Sequence, residues 1–355
     1  MTATERIKQM LNNERVDSIG ASGWYHTPEC DRASAEEFAA RIIEITDHSN
    51  WDFIKIMPNG IYMQEAYGSD IEYLSKDIPL ERLRSKMIFN FRSYLINSPE
   101  DMHNFQVLDV RNNPVFQREC ALVKALADHY KGSVPIIPTI FLPCHTIPEF
   151  VGGIPQARWY FENHPDAVDH MLKCLYETEL ELLQMYLDAG ADGFFFATRY
   201  SNSDIISREE FERFCLPYET KLVESTKGRA WFNMMHIHGV KNFYWDYFER
   251  YDVQAYNWEN VPTTVKDSER TTVAKLRAIT NRILITGTDQ FHDFYGTLDE
   301  VHSRFQRRLV QAVRESGDNR LIFAPGCSLP LDINPEAVHQ IRVVVDEYNA
   351  AHADM

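Results

Sequence analysis

Apolar and polar positions alternate along this chain in two rhythms. Short unbroken apolar runs are followed by longer stretches in which apolar residues recur every three or four positions. From residue 50 onward the short runs are "WDFIKIMP" (51–58), "FQVLDV" (105–110), "VPIIPTIFLP" (134–143), "DGFFFATR" (192–199), "AWFNMMHIHG" (230–239), "DVQAYNWE" (252–259), "RILITGTD" (282–289) and "RLIFAPGC" (320–327). Their length and β-branched or aromatic content predict strands. The stretches between them predict helices. One, at 164–190, opens on Pro165 and closes at Gly190. Another, at 207–227, opens on Ser207 with Glu210 three residues later, the reciprocal capping pattern of a helix start. Helices are likewise expected over 297–317 and 334–352.

Strands separated by helices of this length imply parallel βαβ units. The runs are continuously apolar, so both faces of the sheet are covered. About eight such units close into a (β/α)₈ TIM barrel. A doubly wound open sheet is the competitor, but no GxGxxG follows any strand. Residues 1–50 read as an N-terminal helical extension, and residues 51–355 as the barrel, within one domain overall.

Composition narrows the function. The 355 residues carry a formal net charge of −16, with no Lys/Arg-rich run, which argues against nucleic acid. Six dispersed cysteines without a CxxC pair suit a reduced compartment. The polar N-terminal segment has no signal-peptide core, and no apolar stretch is long enough to span a membrane. A cytoplasmic protein with a small-molecule substrate is the expectation.

In a barrel, chemistry gathers at the C-terminal ends of the strands. There the sequence places Asn59 and Tyr62, Cys144 and His145, Arg199 and Tyr200, His236 and His238, Asn257, His292, and Cys327. His236 and His238, two apart on a strand, point to the same side. With Cys327 they offer two imidazoles and a thiolate, the donors zinc prefers, leaving a fourth position open. The bland alternative is a histidine bonded to a carbonyl and a small buried cysteine. The adjacent Cys144 and His145 point to opposite sides of a strand end, which disfavours a thiol–imidazole dyad. Arg199, Tyr62 and Asn59 are the candidate catalytic side chains; His26, Tyr200, Asn257 and His292 are the candidate substrate-binding ones.

The segments "AGADGFFFAT…ISREEFERFCLPY", "MHIHG", "DVQAYNWE", "ITGTDQ" and "IFAPGCSLPLDINPEAV" together resemble the uroporphyrinogen decarboxylase superfamily. The resemblance implies a (β/α)₈ barrel. Decarboxylases of that superfamily carry an arginine-rich N-terminal stretch and an aspartate after the first barrel strand. Here "GASGWYHTPECDRAS" has no such arginine pair, and Met57–Pro58 stand where the aspartate is expected. The zinc-dependent branch moves methyl groups between a corrinoid and a thiol, using an HxC motif and a later cysteine. His236 falls on the histidine, His238 on the first cysteine and Cys327 on the second. A histidine in place of a thiolate makes such a site more positive, and imidazole also suits other transition metals.

The expected function is therefore a metal-dependent methyltransferase with zinc or another transition ion and a thiol acceptor. A corrinoid, carried by a corrinoid protein, is the donor the resemblance suggests. A decarboxylase or lyase of a small acid is the alternative, with Arg199 holding the carboxylate; a non-catalytic corrinoid or small-molecule binding protein is a third reading. Related barrels often pair, which leaves a homodimer open.

Overall fold

The structure, a computed structural model, describes residues 1–12, 18–73 and 89–352. Its strands are β1 (Gly20–Ala21), β2 (Ile54–Ile56), β3 (Ile71–Tyr73), β4 (Phe89–Phe91), β5 (Ile136–Phe141), β6 (Phe195–Thr198), β7 (Met234–Ile237), β8 (Ala255–Trp258), β9 (Ile283–Thr288) and β10 (Leu321–Pro325). Eight of them form one parallel sheet in the order β1-β10-β9-β8-β7-β6-β5-β2, while β3 and β4 pair as an antiparallel hairpin. The two edges of the large sheet meet: the Asp52 N–H donates to Ala21 O at 2.9 Å, and Ser22 Oγ donates to Phe53 O at 3.0 Å. The sheet is thus a closed (β/α)₈-type barrel, as the apolar rhythm predicts.

Alternate residues along each strand enter two different apolar clusters. Phe53, Phe195, Met234, Ala255, Ile283 and Ile322 share the inner one. Ile54, Phe196, Met235, Tyr256, Leu284 and Phe323 belong to the outer one, against the surrounding helices. This period of two is what directs His236 and His238 inward with Met234. The helix Ala3–Leu11 adds Ile7 and Met10 to the inner cluster and so plugs one end of the barrel. Its polar continuation in the sequence, residues 13–17, lies outside the described residues.

Two expectations change. Residues 105–110 are not a strand: the segment lies over the helix Pro165–Ala189. Its backbone pairs there with side chains, Cys174 Sγ donating to Phe105 O at 3.3 Å and Leu108 N donating to Thr178 Oγ1 at 3.2 Å. The eighth barrel strand is instead β1, inside the region read as purely helical. That region does hold the helices Ala3–Leu11 and Ala35–Ser49, but two residues are too few for periodicity to reveal the strand between them. Segment 51–58 therefore lies second around the barrel, and the strand with the histidines remains fifth.

The expected helices stand at Pro165–Ala189, Leu298–Ser316 and Pro335–Ala351. The capping pair is present, with Ser207 N donating to Glu210 Oε2 at 2.9 Å and Glu210 N to Ser207 Oγ at 3.2 Å. Before Pro217 the helix widens into one π turn over Phe211–Cys215, because a proline cannot donate the next ladder bond. Among the described residues no helix is long and apolar enough to cross a membrane.

Asp52 holds the seam of the barrel. It is 1% exposed, accepts from Ala21 N at 2.7 Å and from Arg342 Nη2 at 2.9 Å, and also pairs with Arg6. Removing one member of a buried pair leaves the other charge stranded. Asp52→Ala should therefore cost about 3 kcal/mol of stability, read as a lowered thermal midpoint. An unchanged midpoint would show that the β1–β2 seam closes without it.

Candidate active site

A cavity of about 510 Å³ opens at the C-terminal ends of the barrel strands. Trp24 and His26 follow β1, Met57 to Ile61 follow β2, and Phe141 and His145 lie at the end of β5. Arg199 follows β6, His236 and His238 come from β7, and Cys327 follows β10. Phe89, Phe91 and Tyr94, in and after β4, form an aromatic wall. A second concavity of about 540 Å³ lies outside the barrel, between the helices Leu298–Ser316 and Pro335–Ala351, far from these strand ends.

The orientation of His236 is fixed by its neighbour. His236 and Asn257 stand opposite each other in the β7–β8 register. Asn257 Nδ2 donates to Ile285 O at 2.7 Å and to Pro325 O at 3.0 Å. Those two carbonyls can only accept, so the amide must present its oxygen to His236, whose Nδ1 lies 2.6 Å from Asn257 Oδ1. The proton of a neutral His236 is therefore on Nδ1. Its Nε2 lone pair faces Cys327 Sγ at 3.8 Å, while Phe195 stacks on the ring at 5.1 Å. Burial pushes the His236 pKa below its ordinary value, with Cys327 pulling the other way.

Cys327 reaches this point because Gly326 precedes it. The reason is close approach rather than a left-handed backbone: a Cβ on Gly326 would lie 2.9 Å from Trp258 O and from Glu259 Cα. His238 has its ring centroid 6.0 Å from that of His236. Its Nδ1 is buried without a hydrogen-bond partner among the described residues, and so is Nδ1 of His145. Burial, reinforced by Arg199, holds the His145 pKa well down.

The fit to a metal ion is partial. Bonds of about 2.0 Å to nitrogen and 2.3 Å to sulfur place tetrahedral N and S ligands roughly 3.5 Å apart. The His236 Nε2 to Cys327 Sγ spacing is close to that. His238 is near with an unspent nitrogen. Among the described residues, however, no three His, Cys, Asp or Glu side chains are already gathered as a metal-holding group.

The remaining sequence candidates divide. His26, Asn59 and Arg199 line the cavity; Tyr62, Tyr200, Asn257 and His292 do not. Arg199 Nη1 donates to Glu149 Oε1 at 2.8 Å, so its charge is already matched. Burial raises the Glu149 pKa, and Arg199 opposes it. Asn59 spends both polar atoms on its own loop, accepting from Ile61 N at 2.9 Å and donating to Glu65 Oε2 at 3.0 Å. Tyr62 is fully buried and donates to Thr139 O at 3.3 Å, a packing role. Tyr200 is fully buried against Phe161. Asn257 positions His236 rather than meeting substrate. His292, with a side chain 60% exposed, faces Thr263 and Asp289 outside the cavity. Cys144 stays out of the lining while His145 enters it, here on the first turn of the helix Pro143–Val151 rather than on a strand.

Sequence reasoning missed Lys55. It lines the cavity, is 7% exposed, and has its Nζ against Met57 Sδ and 4.4 Å from the Phe195 ring centre. Burial pushes its pKa down to about 7, opposed by the Cys327 sulfur. The signal was available: Lys55 falls in phase with Phe53 and Met57, the inward face of that run.

Fold and site together define a TIM-barrel enzyme with a buried imidazole–thiol pair at its mouth. The uroporphyrinogen decarboxylase (URO-D) family model matches residues 34–348, and the chain belongs to that family. Among solved structures, a methyltransferase from Methanosarcina mazei is similar, at 16% identity and a TM-score of 0.73, covering 98% of this chain and 99% of that one. A B12-independent methionine synthase from Shewanella sp. W3-18-1, in complex with selenomethionine, aligns at 12% identity and a TM-score of 0.54, covering 89% and 87%. A putative B12-independent methionine synthase from Listeria monocytogenes aligns at 11% identity and a TM-score of 0.52, covering 95% and 96%. These likenesses establish the fold. No curated protein matches the sequence.

Because folding lowers its basicity, His236 adds stability above its ordinary pKa of 6.5 and loses that contribution as pH falls through the lower folded value. Nitrogen-15 spectra of histidine-labelled protein should show His236 neutral at pH 7, with its single proton on Nδ1. Asn257→Leu should lose that fixed tautomer. A His236 that is charged at pH 7, or protonated only on Nε2, would contradict the hydrogen-bond chain.

Proposed function

We propose that this protein is a metal-dependent methyltransferase of the URO-D family that activates a thiol acceptor, with a corrinoid as the methyl donor. The observation that carries the proposal is the His236–Cys327 pair, spaced at 3.8 Å with the imidazole lone pair turned inward. In this reading His236 and Cys327 would hold the ion, zinc by donor preference, and His238, whose Nδ1 is unspent, would be the third ligand. Zinc bound there would keep an acceptor thiol deprotonated near neutral pH.

The chain's own residues supply the rest. Asn257 keeps the His236 proton on Nδ1, so Nε2 is free to coordinate at neutral pH. Phe195 stacks on the His236 ring and Trp24 packs in turn on Phe195, giving the pair an aromatic floor. The aromatic wall of Phe89, Phe91 and Tyr94 borders the mouth, where the donor would approach. The structural likeness to two kinds of methyl-transferring protein favours this chemistry over decarboxylation. So does the lining: among the described residues its only lysine and arginine are Lys55 and Arg199, few partners for a porphyrinogen with many carboxylates.

Protein purified without chelator or metal-affinity resin should carry about one transition ion per chain, consistent with a three-ligand site. His238→Ala and Cys327→Ser should each lose most of it. With cobalt in place of zinc, 2-mercaptoethanol should produce a sulfur-to-cobalt charge-transfer band and release about one proton per site. A metal-free protein would remove the basis of the proposal. A cobalt spectrum indifferent to thiols would favour a lyase or a non-catalytic binding protein.

A further inference from the structure

Among the described residues the cavity lining has two side chains of the Lys/Arg type, in different situations. Arg199 is neutralised by Glu149. Lys55 is 7% exposed, with its Nζ against the Met57 sulfur and the faces of Phe195 and Trp24, at 4.4 and 5.5 Å from Nζ to ring centre. Among the described residues no carboxylate lies within 4.0 Å of it. Buried lysines are rare unless paired, and an unpaired one incurs the full cost of desolvation. Here the amine is held at the cavity wall, on the same inward face as Phe53 and Met57 and close enough to Cys327 to feel its charge.

We propose that Lys55 is the anion anchor of this site, and that the substrate carries a carboxylate or sulfonate that pairs with Lys55 while its reacting end lies at Cys327 and His236. The inference deepens the proposed function by naming the charge class of the substrate and the residue that reads it. It moves that role from Arg199, where the sequence placed it, to Lys55. The ring faces of Phe195 and Trp24 adjoin the ammonium, and Lys55 lines the cavity, from which an anion can reach it. An anion arriving there replaces the missing counter-charge beside a largely buried amine, where charge-assisted hydrogen bonds are stronger than in open solvent. An uncharged isostere gains nothing comparable.

The test uses butanoate, butane-1-sulfonate and the neutral isostere butanamide as probes of the full-length protein. Binding is followed by ligand-detected NMR titration, both as purified and after dialysis against chelator, so that anion binding to a metal is separated from binding to Lys55. The wild type should bind the two anions about tenfold or more tightly than the amide in both preparations. Lys55→Met, which removes the buried amine, should bind all three alike with a thermal midpoint at or above that of the wild type. Lys55→Arg should recover part of the preference. The inference is overturned if the wild type binds no anion, if it shows no preference over butanamide, or if Lys55→Met retains the preference. Loss of the preference on chelation alone would place the anion on the metal and equally overturn it. A metal-free protein that still prefers anions through Lys55 would overturn the metal reading and leave this one standing.

Discussion

One amide orders this molecule's functional end. Asn257, on β8, reaches across the barrel interior to carbonyls of β9 and β10 and to the imidazole of His236 on β7. It thereby ties four neighbouring strands together at the level where the cavity begins. A buried amide cannot leave its donors or acceptor unmatched without cost, so its orientation is determined by the two carbonyls it must satisfy. The position of the His236 proton follows, and so does the direction in which its lone pair points. The strand register therefore sets the chemistry: a shift of one residue in β7 would turn His236 out of the barrel, and one in β8 would turn out Asn257.

The interior is stratified along the same axis. At one end the helix Ala3–Leu11 inserts Ile7 and Met10. Apolar side chains such as Phe53, Met234 and Ile322 fill the middle. Polar groups occupy the other end, and nearly every charge there is accounted for. Arg199 meets Glu149, and away from the cavity Arg342 meets Asp52. Lys55 stands apart because it has no such partner among the described residues. Buried carboxyls without a partner among the described residues also occur, as at Glu179 on the helix Pro165–Ala189, but Glu179 lies outside the cavity lining, whereas Lys55 is in it.

Much of the architecture could be read from the sequence, because continuous apolar runs and helix caps carry their own physical signals. The strands β2 and β5 to β10 fall inside runs visible as such. The failures have local causes. β1 is two residues long, below the length at which any period shows, and the glycines in and after it serve packing: a Cβ on Gly20 would lie 3.0 Å from Ile322, and one on Gly23 2.8 Å from the Trp51 ring. "FQVLDV" has strand-like composition, but its backbone bonds are taken by side chains of a neighbouring helix. His236, His238 and Cys327, placed at strand ends by period and position, do line the cavity. Tyr62, Tyr200 and His292 were near strand ends in sequence but turn away from the cavity, since direction beyond a strand's last residue depends on the loop and not on the period. Lys55 was overlooked because a single lysine in an apolar run reads as an edge residue until the closed barrel shows that its face is interior.

The central claim is that His236 and Cys327 are two ligands of one ion, with His238 as the third. X-ray absorption at the zinc edge of the purified protein tests it most directly. The account predicts a first shell with one sulfur near 2.3 Å and histidine nitrogens near 2.0 Å, with the sulfur lost in Cys327→Ser. A first shell of nitrogen and oxygen alone, or a sulfur that survives that substitution, would contradict it.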